Sequence, residues 1–323
     1  MKNKLVLSGL YFLFMHNNIL SNFTAFLLIT FFLASCEDND YFFEKGKIPL
    51  KLSAQIYDSY TSDKIDKMSF DENDSIGIYL VDYSNGIPQK IGSINNFMNS
   101  HYIYTGSYWH SNTGENLYLT DNNTVADLYA YYPYDYGMSR EASKRDLSAY
   151  PFSISADQRS SISTNDFLWV KYTSVSVART NVALIFKHLM SKIIVNVRFD
   201  TELADSNSLY IHNVKKDGFI DMNTGNVVHT ANNYIITPFV EKTTTQNFNQ
   251  TYSAIIMPQY LEIGTSLFSI ETDGKLYTFQ LDSGLTIEQG TSYTFNLIVG
   301  NANSDNYTKV YKNSITLYSK SRY

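Results

Sequence analysis

The chain has 323 residues, of which 44% are apolar, 17% charged and 15% aromatic, and its formal net charge is −6. These values exclude a disordered chain, which has few aromatic residues and high charge, and the acidic balance without any Lys/Arg-rich run excludes nucleic acid as a partner. The length predicts two domains, and the 27 tyrosines and 20 phenylalanines favour β-strands over helices.

Residues 1–35 are predicted to form a lipoprotein signal peptide. A basic start precedes two apolar stretches, 5–15 and 23–34, each shorter than the about 20 residues that cross a bilayer and typical of a secretory signal. The second stretch ends in Leu33-Ala34-Ser35-Cys36, which resembles the lipobox of bacterial lipoproteins. The resemblance implies that Cys36, the single cysteine, is acylated and anchors the mature chain in the outer membrane. The alternative is a chance cysteine at the end of an ordinary signal or anchor helix.

Residues 36–47 form an acidic linker in this interpretation. Glu37, Asp38 and Asp40 follow Cys36 directly, and such a start resembles the export tag that sends certain Gram-negative lipoproteins to the outer face of the outer membrane. It predicts a cell-surface location, with an ordinary solvated linker as the alternative.

From residue 48 onwards, apolar and polar residues alternate in short runs, which is the pattern of half-buried β-strands. The first run is Ile48 to Ile56. The further predicted strands are Ser75 to Val81, Asn116 to Thr120, Ala126 to Tyr132, Asp166 to Lys171, Val182 to Lys187, Ile193 to Phe199, Leu209 to Val214, Gly218 to Asp221, Tyr252 to Met257, Ser266 to Thr272, Lys275 to Leu281, Ser292 to Val299 and Val310 to Tyr318. Asp273-Gly274 lies between two of them and is the strongest hairpin signal. The one helix candidate, Ser139 to Leu147, is polar on all sides and fits a surface turn equally well.

Many short strands with almost no helix predict an all-β chain of two β-sandwich domains. We place the boundary near His188, so that the domains cover 48–188 and 189–323. Because no linker composition marks this boundary, the two domains are expected to share an interface.

No motif in the sequence predicts catalysis. The chain has no Gly-x-Ser-x-Gly elbow, no His-Glu-x-x-His, no Gly-rich phosphate loop and no Cys/His metal spacing. The run from Phe70 to Asp74 clusters oxygen ligands that Ca²⁺ could use, but it lacks the spacing and the glycine of a calcium loop. We therefore expect a polar loop there, and we predict no catalytic residue, no metal and no cofactor.

Clustered aromatic residues offer candidate ligand contacts. If they are exposed, Trp109, Tyr131 and Tyr134 would supply a rigid surface for a host glycan or protein. In a β-sandwich such residues more often fill the core or pair across strands, and that alternative is the favoured one.

The order of several short segments resembles the fimbrillin family, whose members are lipoprotein-derived subunits of type V pili. The matching segments are Asp74-Ser-Ile-Gly-Ile-Tyr79, Trp109, Ala130-Tyr-Tyr-Pro-Tyr134, Asn165-Asp-Phe-Leu168, Val182 to Ile193, Ile255-Ile-Met-Pro-Gln259, Asp273-Gly-Lys-Leu-Tyr277 and Gly290-Thr-Ser-Tyr293. Each segment alone is a weak signal, and their shared order across the mature chain carries the resemblance.

The resemblance implies two tandem transthyretin-like β-sandwiches with Greek-key topology, assembled with other fimbrial subunits by strand exchange. In this family a surface protease cuts after a basic residue behind the first strand, and the opened groove accepts a strand of the next subunit. Here the removable strand would be Ile48 to Tyr57, and Lys64 and Lys67 are the candidate processing sites in the loop that follows. Polymerising members usually carry an arginine at the cut, whereas the first arginine after Cys36 is Arg140. Either a lysine-tolerant protease cuts here, or the strand stays and the protein ends a fibre.

The candidate donor strand is the last alternating run. In it Val310 belongs to one face, and Tyr311, Ile315 and Leu317 to the other; an ordinary strand of the second domain is the alternative. The sequence thus predicts a fimbrial subunit that mediates adhesion as a stalk, tip or anchor pilin. A glycan-binding outer-membrane lipoprotein is the rival interpretation.

Overall fold

The computed structural model describes residues 46–57, 69–92, 97–138, 147–199, 207–242, 247–272 and 274–299, together with the backbone of residues 321 and 322. The predicted signal peptide, nearly all of the acidic linker and most of the helix candidate at 139–147 lie outside this part of the chain. No helix of the described residues is long and apolar enough to cross a bilayer.

Apart from two short 3₁₀ helices, the regular secondary structure of the described residues consists of β-strands, which confirms the predicted all-β class. The strands of the first half are β1 (Ile48–Pro49), β2 (Lys51–Ile56), β3 (Ser75–Asp82), β4 (Phe97–Tyr104), β5 (Trp109–Ser111), β6 (Tyr118–Leu119), β7 (Ala126–Tyr132), β8 (Tyr150–Ser153), β9 (Leu168–Val175) and β10 (Asn181–His188). Two short 3₁₀ helices, Leu147–Ala149 and Ser163–Asn165, flank β8.

The second half adds thirteen strands by the same numbering. They are β11 (Ser191–Phe199), β12 (Asn207–Val214), β13 (Asp217–Asp221), β14 (Asn226–His229), β15 (Tyr234–Ile236), β16 (Phe239–Val240), β17 (Gln250–Ile256), β18 (Gln259–Leu261), β19 (Ser266–Thr272), β20 (Lys275–Gln280), β21 (Leu285–Ile287), β22 (Thr291–Val299) and β23 (Ser321–Arg322).

Each half has its own main sheets and its own core. The first half contains a seven-stranded sheet in the order β2-β10-β9-β7-β3-β4-β5, and β1 pairs with β6. The second half contains a five-stranded sheet, β16-β17-β11-β22-β23, and a four-stranded sheet, β15-β12-β19-β20. One cluster of buried apolar side chains lies within the first half and another within the second, as expected for β-sandwiches. The predicted domain boundary at residues 188 and 189 itself stays a prediction.

Strands with regular alternation of apolar and polar residues were predicted from the sequence, and strands with irregular pairing were missed. In β10 the side chains alternate strictly between exposed and buried, and the prediction of Val182 to Lys187 is confirmed. β4 was not predicted, because its pairing with β3 shifts register between Ile78 and Leu80 and Asn99 takes a positive φ of 53°. Such a bulge breaks the period of two on which the sequence signal depends.

A third set of contacts joins the two halves, as a shared interface requires. β8 pairs with β13 and places both halves in one small sheet. The side chain of Gln158, which is fully buried, bonds to the backbone of Ile255 through both its amide atoms, at 2.8 and 2.9 Å. The indole nitrogen of Trp169 donates to the Met222 carbonyl at 2.9 Å. Its ring lies so close to Gly225 that a Cβ there would be 2.6 Å from a ring carbon.

Candidate strand-exchange groove

Strand β2 lies at the edge of the seven-stranded sheet of the first half, and β1 pairs separately with β6. β2 pairs with one neighbour, β10, in parallel register from Lys51 opposite Asn181 to Ile56 opposite Phe186. Backbone hydrogen bonds continue the pairing at both ends, from the Lys51 amide to the Thr180 carbonyl at 3.0 Å and from the Tyr57 amide to the Phe186 carbonyl at 2.7 Å. The strand is therefore held by one ladder only, which is the geometry of strand addition at a sheet edge.

Every second side chain of this edge segment enters the core of the first half. Leu50 and Ile56 are each 6% exposed, and Leu52 and Ala54 lie half-buried between them against the same cluster. The intervening residues of β2 are exposed. The segment thus fills a row of pockets with alternate side chains while its backbone completes a sheet, and both kinds of contact are lost if it leaves.

β10 depends on this segment for its pairing. Among the described residues, the part of β10 from Asn181 to Phe186 pairs with β2 alone, because its ladder with β9 covers only Lys187 and His188. The β10 side chains Val182, Leu184 and Phe186 that face the core are at most 1% exposed. Removal of β2 would therefore expose the backbone hydrogen-bonding groups of β10 and the apolar side chains that face the core, and both would favour binding of a replacement strand.

Leu117 connects the edge segment to the opposite side of the core. Its amide donates to the Tyr102 hydroxyl at 2.9 Å, and its carbonyl accepts the Leu50 amide at 2.9 Å. Burial raises the pKa of Tyr102 to about 12, so this phenol is neutral at any physiological pH. The sequence prediction of a strand from Asn116 to Thr120 covers Leu117, but nothing in the pattern indicated that its backbone holds the first strand.

Phe70 is the first core residue after the loop that carries the candidate cut sites. Its ring makes edge contacts with Phe186 at 5.4 Å and with Trp109 at 4.9 Å between ring centres, and it is 8% exposed. A cut after Lys67 would leave Phe70 two residues beyond the new N-terminus, where its packing still fixes the chain. Sequence reasoning treated Phe70 as part of a polar loop. Asp74 closes the turn that follows Phe70, because its carboxylate accepts the Asp71 amide at 2.6 Å.

The second half places its first strand differently. β11 pairs in parallel with β22, the long strand near the end of that half, just as β2 pairs in parallel with β10. However, β11 also pairs with β17 on its other side and is buried along most of its length. It lies in the middle of one sheet between two long neighbours, whereas the segment with β2 opens the ladder with β10 and only the two-residue pairing of β1 with β6. Of the two first strands, β2 alone occupies a removable position.

Two of the three predicted ligand aromatics prove to be core residues. Trp109 is 8% exposed and Tyr131 is fully buried, so neither offers a face to a ligand, and this prediction is wrong for both. The Tyr131 hydroxyl donates to the Asn99 side-chain oxygen at 2.6 Å, and burial holds the pKa of Tyr131 well above its ordinary value. Trp109 lies on the buried face of β5, in which buried and exposed residues alternate, whereas β7 is buried on both faces. Tyr134 is half-buried and stacks on His101 with ring centres 3.8 Å apart.

The remaining predicted site residues lie outside the described part of the chain. These are Cys36, the cut sites Lys64 and Lys67, and the donor residues Val310, Tyr311, Ile315 and Leu317. Within the described residues, no group of three or more His, Cys, Asp or Glu side chains is arranged to hold a metal ion. A buried acid–base contact, between His188 Nδ1 and Asp166, is enclosed at the junction of β10 and β9.

The chain shares its fold with two solved structures. One is a protein from Bacteroides uniformis named for cell adhesion, with a TM-score of 0.59 and 17% identity over 80% of this chain and 95% of that one. The other is a protein from Bacteroides ovatus, also named for cell adhesion, with a TM-score of 0.59 and 19% identity over 80% of this chain and 94% of that one. At these identities the likeness shows the fold alone. No curated protein matches the chain.

A comparison with protein-family models shows the family of the chain. The model of a family described as fimbrillin-like matches residues 61–316. The chain therefore belongs to the fimbrillin-like family, which confirms the resemblance seen in the sequence. Membership supports a role as a fimbrial subunit at the cell surface and indicates a structural, non-enzymatic protein.

Proposed function

We propose that this protein is a fimbrial subunit that polymerises by exchanging its first strand. After a cut at Lys64 or Lys67, the segment from Ile48 to Tyr57 leaves the edge of the sheet, and a strand from a neighbouring subunit takes its place on β10. The observation that carries the proposal is the single-ladder position of β2, in contrast to the doubly paired β11.

The proposed donor is the segment from Val310 to Tyr318. Tyr311, Ile315 and Leu317 alternate with polar residues in it, and the groove holds alternate side chains at Leu50, Leu52, Ala54 and Ile56. A strand of this pattern therefore supplies apolar groups at three of the four positions of that row, with Asn313 at the fourth, while its backbone restores the ladder of β10.

We further propose that the chain reaches the cell surface as a lipoprotein acylated at Cys36, with two tandem transthyretin-like domains over 48–188 and 189–323. Support for the two domains comes from the repeated parallel pairing of a first strand with a last strand, β2 with β10 and β11 with β22. Its adhesive role as stalk, tip or anchor follows from the family and not from any single residue.

The donor assignment is tested by truncation. Deletion of residues 310–323 should abolish polymer formation by subunits that have been cut behind the first strand. Deletion of residues 319–323 is the matched control, because it removes Ser321 and Arg322, which pair with β22, and keeps the proposed donor. Polymers of normal length from the longer deletion would contradict the donor assignment, and loss of polymers from the shorter deletion would assign the effect to β23.

A further inference from the structure

A polar groove opens in the second half, away from the elements that strand exchange uses. It lies between the end of β12, strand β18 and the loop from Glu262 to Thr265, and its volume is about 450 Å³. Ligand sites in proteins have volumes of roughly 300–1,000 Å³. The groove is therefore large enough for one or two sugar rings.

Hydrogen bonds within the protein fix the walls of this groove. The amide nitrogen of Asn213 donates to the Ser266 carbonyl at 2.9 Å, and Lys215 donates through its ammonium group to the Asn233 side-chain oxygen at 2.6 Å and to the Ala231 carbonyl. The buried Gln259 accepts the Lys215 amide at 3.1 Å and donates to the Met257 carbonyl at 2.9 Å. A ligand would thus meet a formed site and would not have to order it.

The groups that remain for a ligand both donate and accept hydrogen bonds. Among the described residues, the Asn213 side-chain oxygen, the Asn233 side-chain nitrogen and the Tyr260 hydroxyl have no partner within the protein. The two charges of the lining, Lys215 and Glu262, are of opposite sign. A neutral ligand with hydroxyl groups matches this lining, because each hydroxyl can donate to one of these groups and accept from another.

Tyr260 supplies the apolar part of the lining. Its side chain is 54% exposed, although its backbone pairs with Thr286 in the ladder of β18 and β21. The hydroxyl end of the ring rests on Gly284, where a Cβ would come within 2.8 Å of the ring carbon that bears the hydroxyl. An aromatic ring that is held in place and half-exposed beside polar groups offers the C–H face of a sugar a rigid surface with little loss of entropy.

We propose that this groove binds a neutral saccharide. The inference goes beyond strand exchange, since it rests on β12, β18 and β19 and on none of the residues around β2 and β10. If subunits polymerise as proposed, every subunit of a fibre carries one groove, and weak single sites add up to firm attachment through multivalency. Assembly and saccharide binding are then separate properties of one chain.

The test applies the purified full-length protein to a printed array of neutral oligosaccharides ending in glucose, galactose, mannose or N-acetylglucosamine, with sialylated and sulfated glycans as the anionic set. We expect at least one neutral class to be retained, and isothermal titration with that oligosaccharide to show at least 10-fold weaker binding for Tyr260→Ala. Tyr108→Ala, which removes an exposed tyrosine of the first half, should bind as the unmodified protein does.

A second variant keeps the test independent of folding. Asn213→Gly retains the backbone φ of 59° without strain but removes the side-chain amide together with its hydrogen bond to the Ser266 carbonyl. Its melting temperature is therefore measured beside its affinity, and binding at a temperature where the variant is fully folded should weaken at least 5-fold. The proposal is overturned if no neutral glycan is retained, if Tyr260→Ala binds as tightly as the unmodified protein, or if only anionic glycans bind. None of these results would affect polymer formation, which Tyr260→Ala should leave intact.

Discussion

Truncation of Ile56 should weaken the hold of the groove on the first strand. Ile56 is 6% exposed and lies opposite Phe186 in the ladder with β10. Ile56→Ala removes three buried carbons at about 0.8 kcal/mol each, or about 2.4 kcal/mol, before any cavity cost is added. In a protein cut behind the strand, this loss corresponds to roughly 60-fold faster dissociation of the N-terminal fragment, since such changes appear mostly in the off-rate.

The assay needs a chain that can be cut at one place. A site-specific protease sequence inserted between Lys64 and Lys67 allows the cut, and a fluorophore on the N-terminal fragment reports its release by anisotropy in the presence of excess unlabelled fragment. Gln55→Ala is the control on the same strand, because Gln55 is exposed, and its fragment should leave at a rate within about 3-fold of the unmodified one, as for surface substitutions generally.

A second control makes the same substitution, isoleucine to alanine, on the exposed face of the sheet. Ile185 is 42% exposed and lies opposite Gln55 on the outer face of the same ladder, so Ile185→Ala deletes the same atoms from the other side of the sheet. Its effect on the off-rate should be less than about 5-fold, because much of the Ile185 side chain is already in contact with water and its truncation loses less buried apolar area. Equal off-rates for Ile56→Ala and Ile185→Ala would refute the inward row of side chains on which the groove rests.

Three further predictions test parts of the structure by thermal or urea unfolding of the full-length protein. Phe70→Ala should cost about 3–5 kcal/mol through the lost contacts with Phe186 and Trp109, whereas Phe70→Leu should recover more than half of that loss; no difference between the two variants would show that Phe70 does not anchor the chain. Gly225→Ala should destabilise by more than 2 kcal/mol, about the cost of overpacking, because its Cβ would meet the Trp169 ring at a φ of 74°. Gly264→Ala, with a φ of 80° and open space around it, should cost only the backbone strain of about 1 kcal/mol, and equal losses would remove the steric argument. Burial lowers the pKa of His212, so the unfolded chain binds a proton there first and stability should fall as the pH drops below about 6.5; His212→Gln should lessen the fall in melting temperature between pH 7.5 and 5.5, and an identical fall would contradict the assignment.

Alternation along the chain predicted much of the fold because the side-chain period of a strand is a local property. β3, β7 and β10 were located to within one or two residues in this way. The same signal could not say which aromatic residues are exposed. Tyr131 lies in β7, which is buried on both faces. The residues beside it in the sequence therefore do not show which side of the strand faces solvent. For this reason a residue predicted to contact a ligand proves to lie in the core.

The edge position of β2 could not be predicted from local pattern. β2 and β11 both begin a half and both read as strands, yet one has a single neighbour and the other has two. The difference depends on which distant strand pairs with each, and parallel pairing between Lys51 and Asn181 leaves no mark in either segment alone. The family resemblance supplied this expectation, and the structure supplies the contacts by which it can be tested.

The polar groove of the second half was missed for a related reason. Its lining comes from β12, β18 and the loop before β19, which are distant in sequence, and Asn213 and Tyr260 each stand alone in their segments. Only the folded chain brings an amide, a lysine and an exposed tyrosine to one opening, so no motif could have indicated it.

Exchange of the first strand can be read from the N-terminus of the subunit in assembled filaments. Intact mass and N-terminal sequence should be measured on the protein from outer membranes and from sheared surface filaments. If the first strand is exchanged, the protein in the membrane fraction starts at an acylated Cys36 and the protein in the filaments starts at Ile65 or Met68, because the segment with β2 has been cut from the subunit. Filament subunits that still begin at Cys36 would contradict exchange of the first strand.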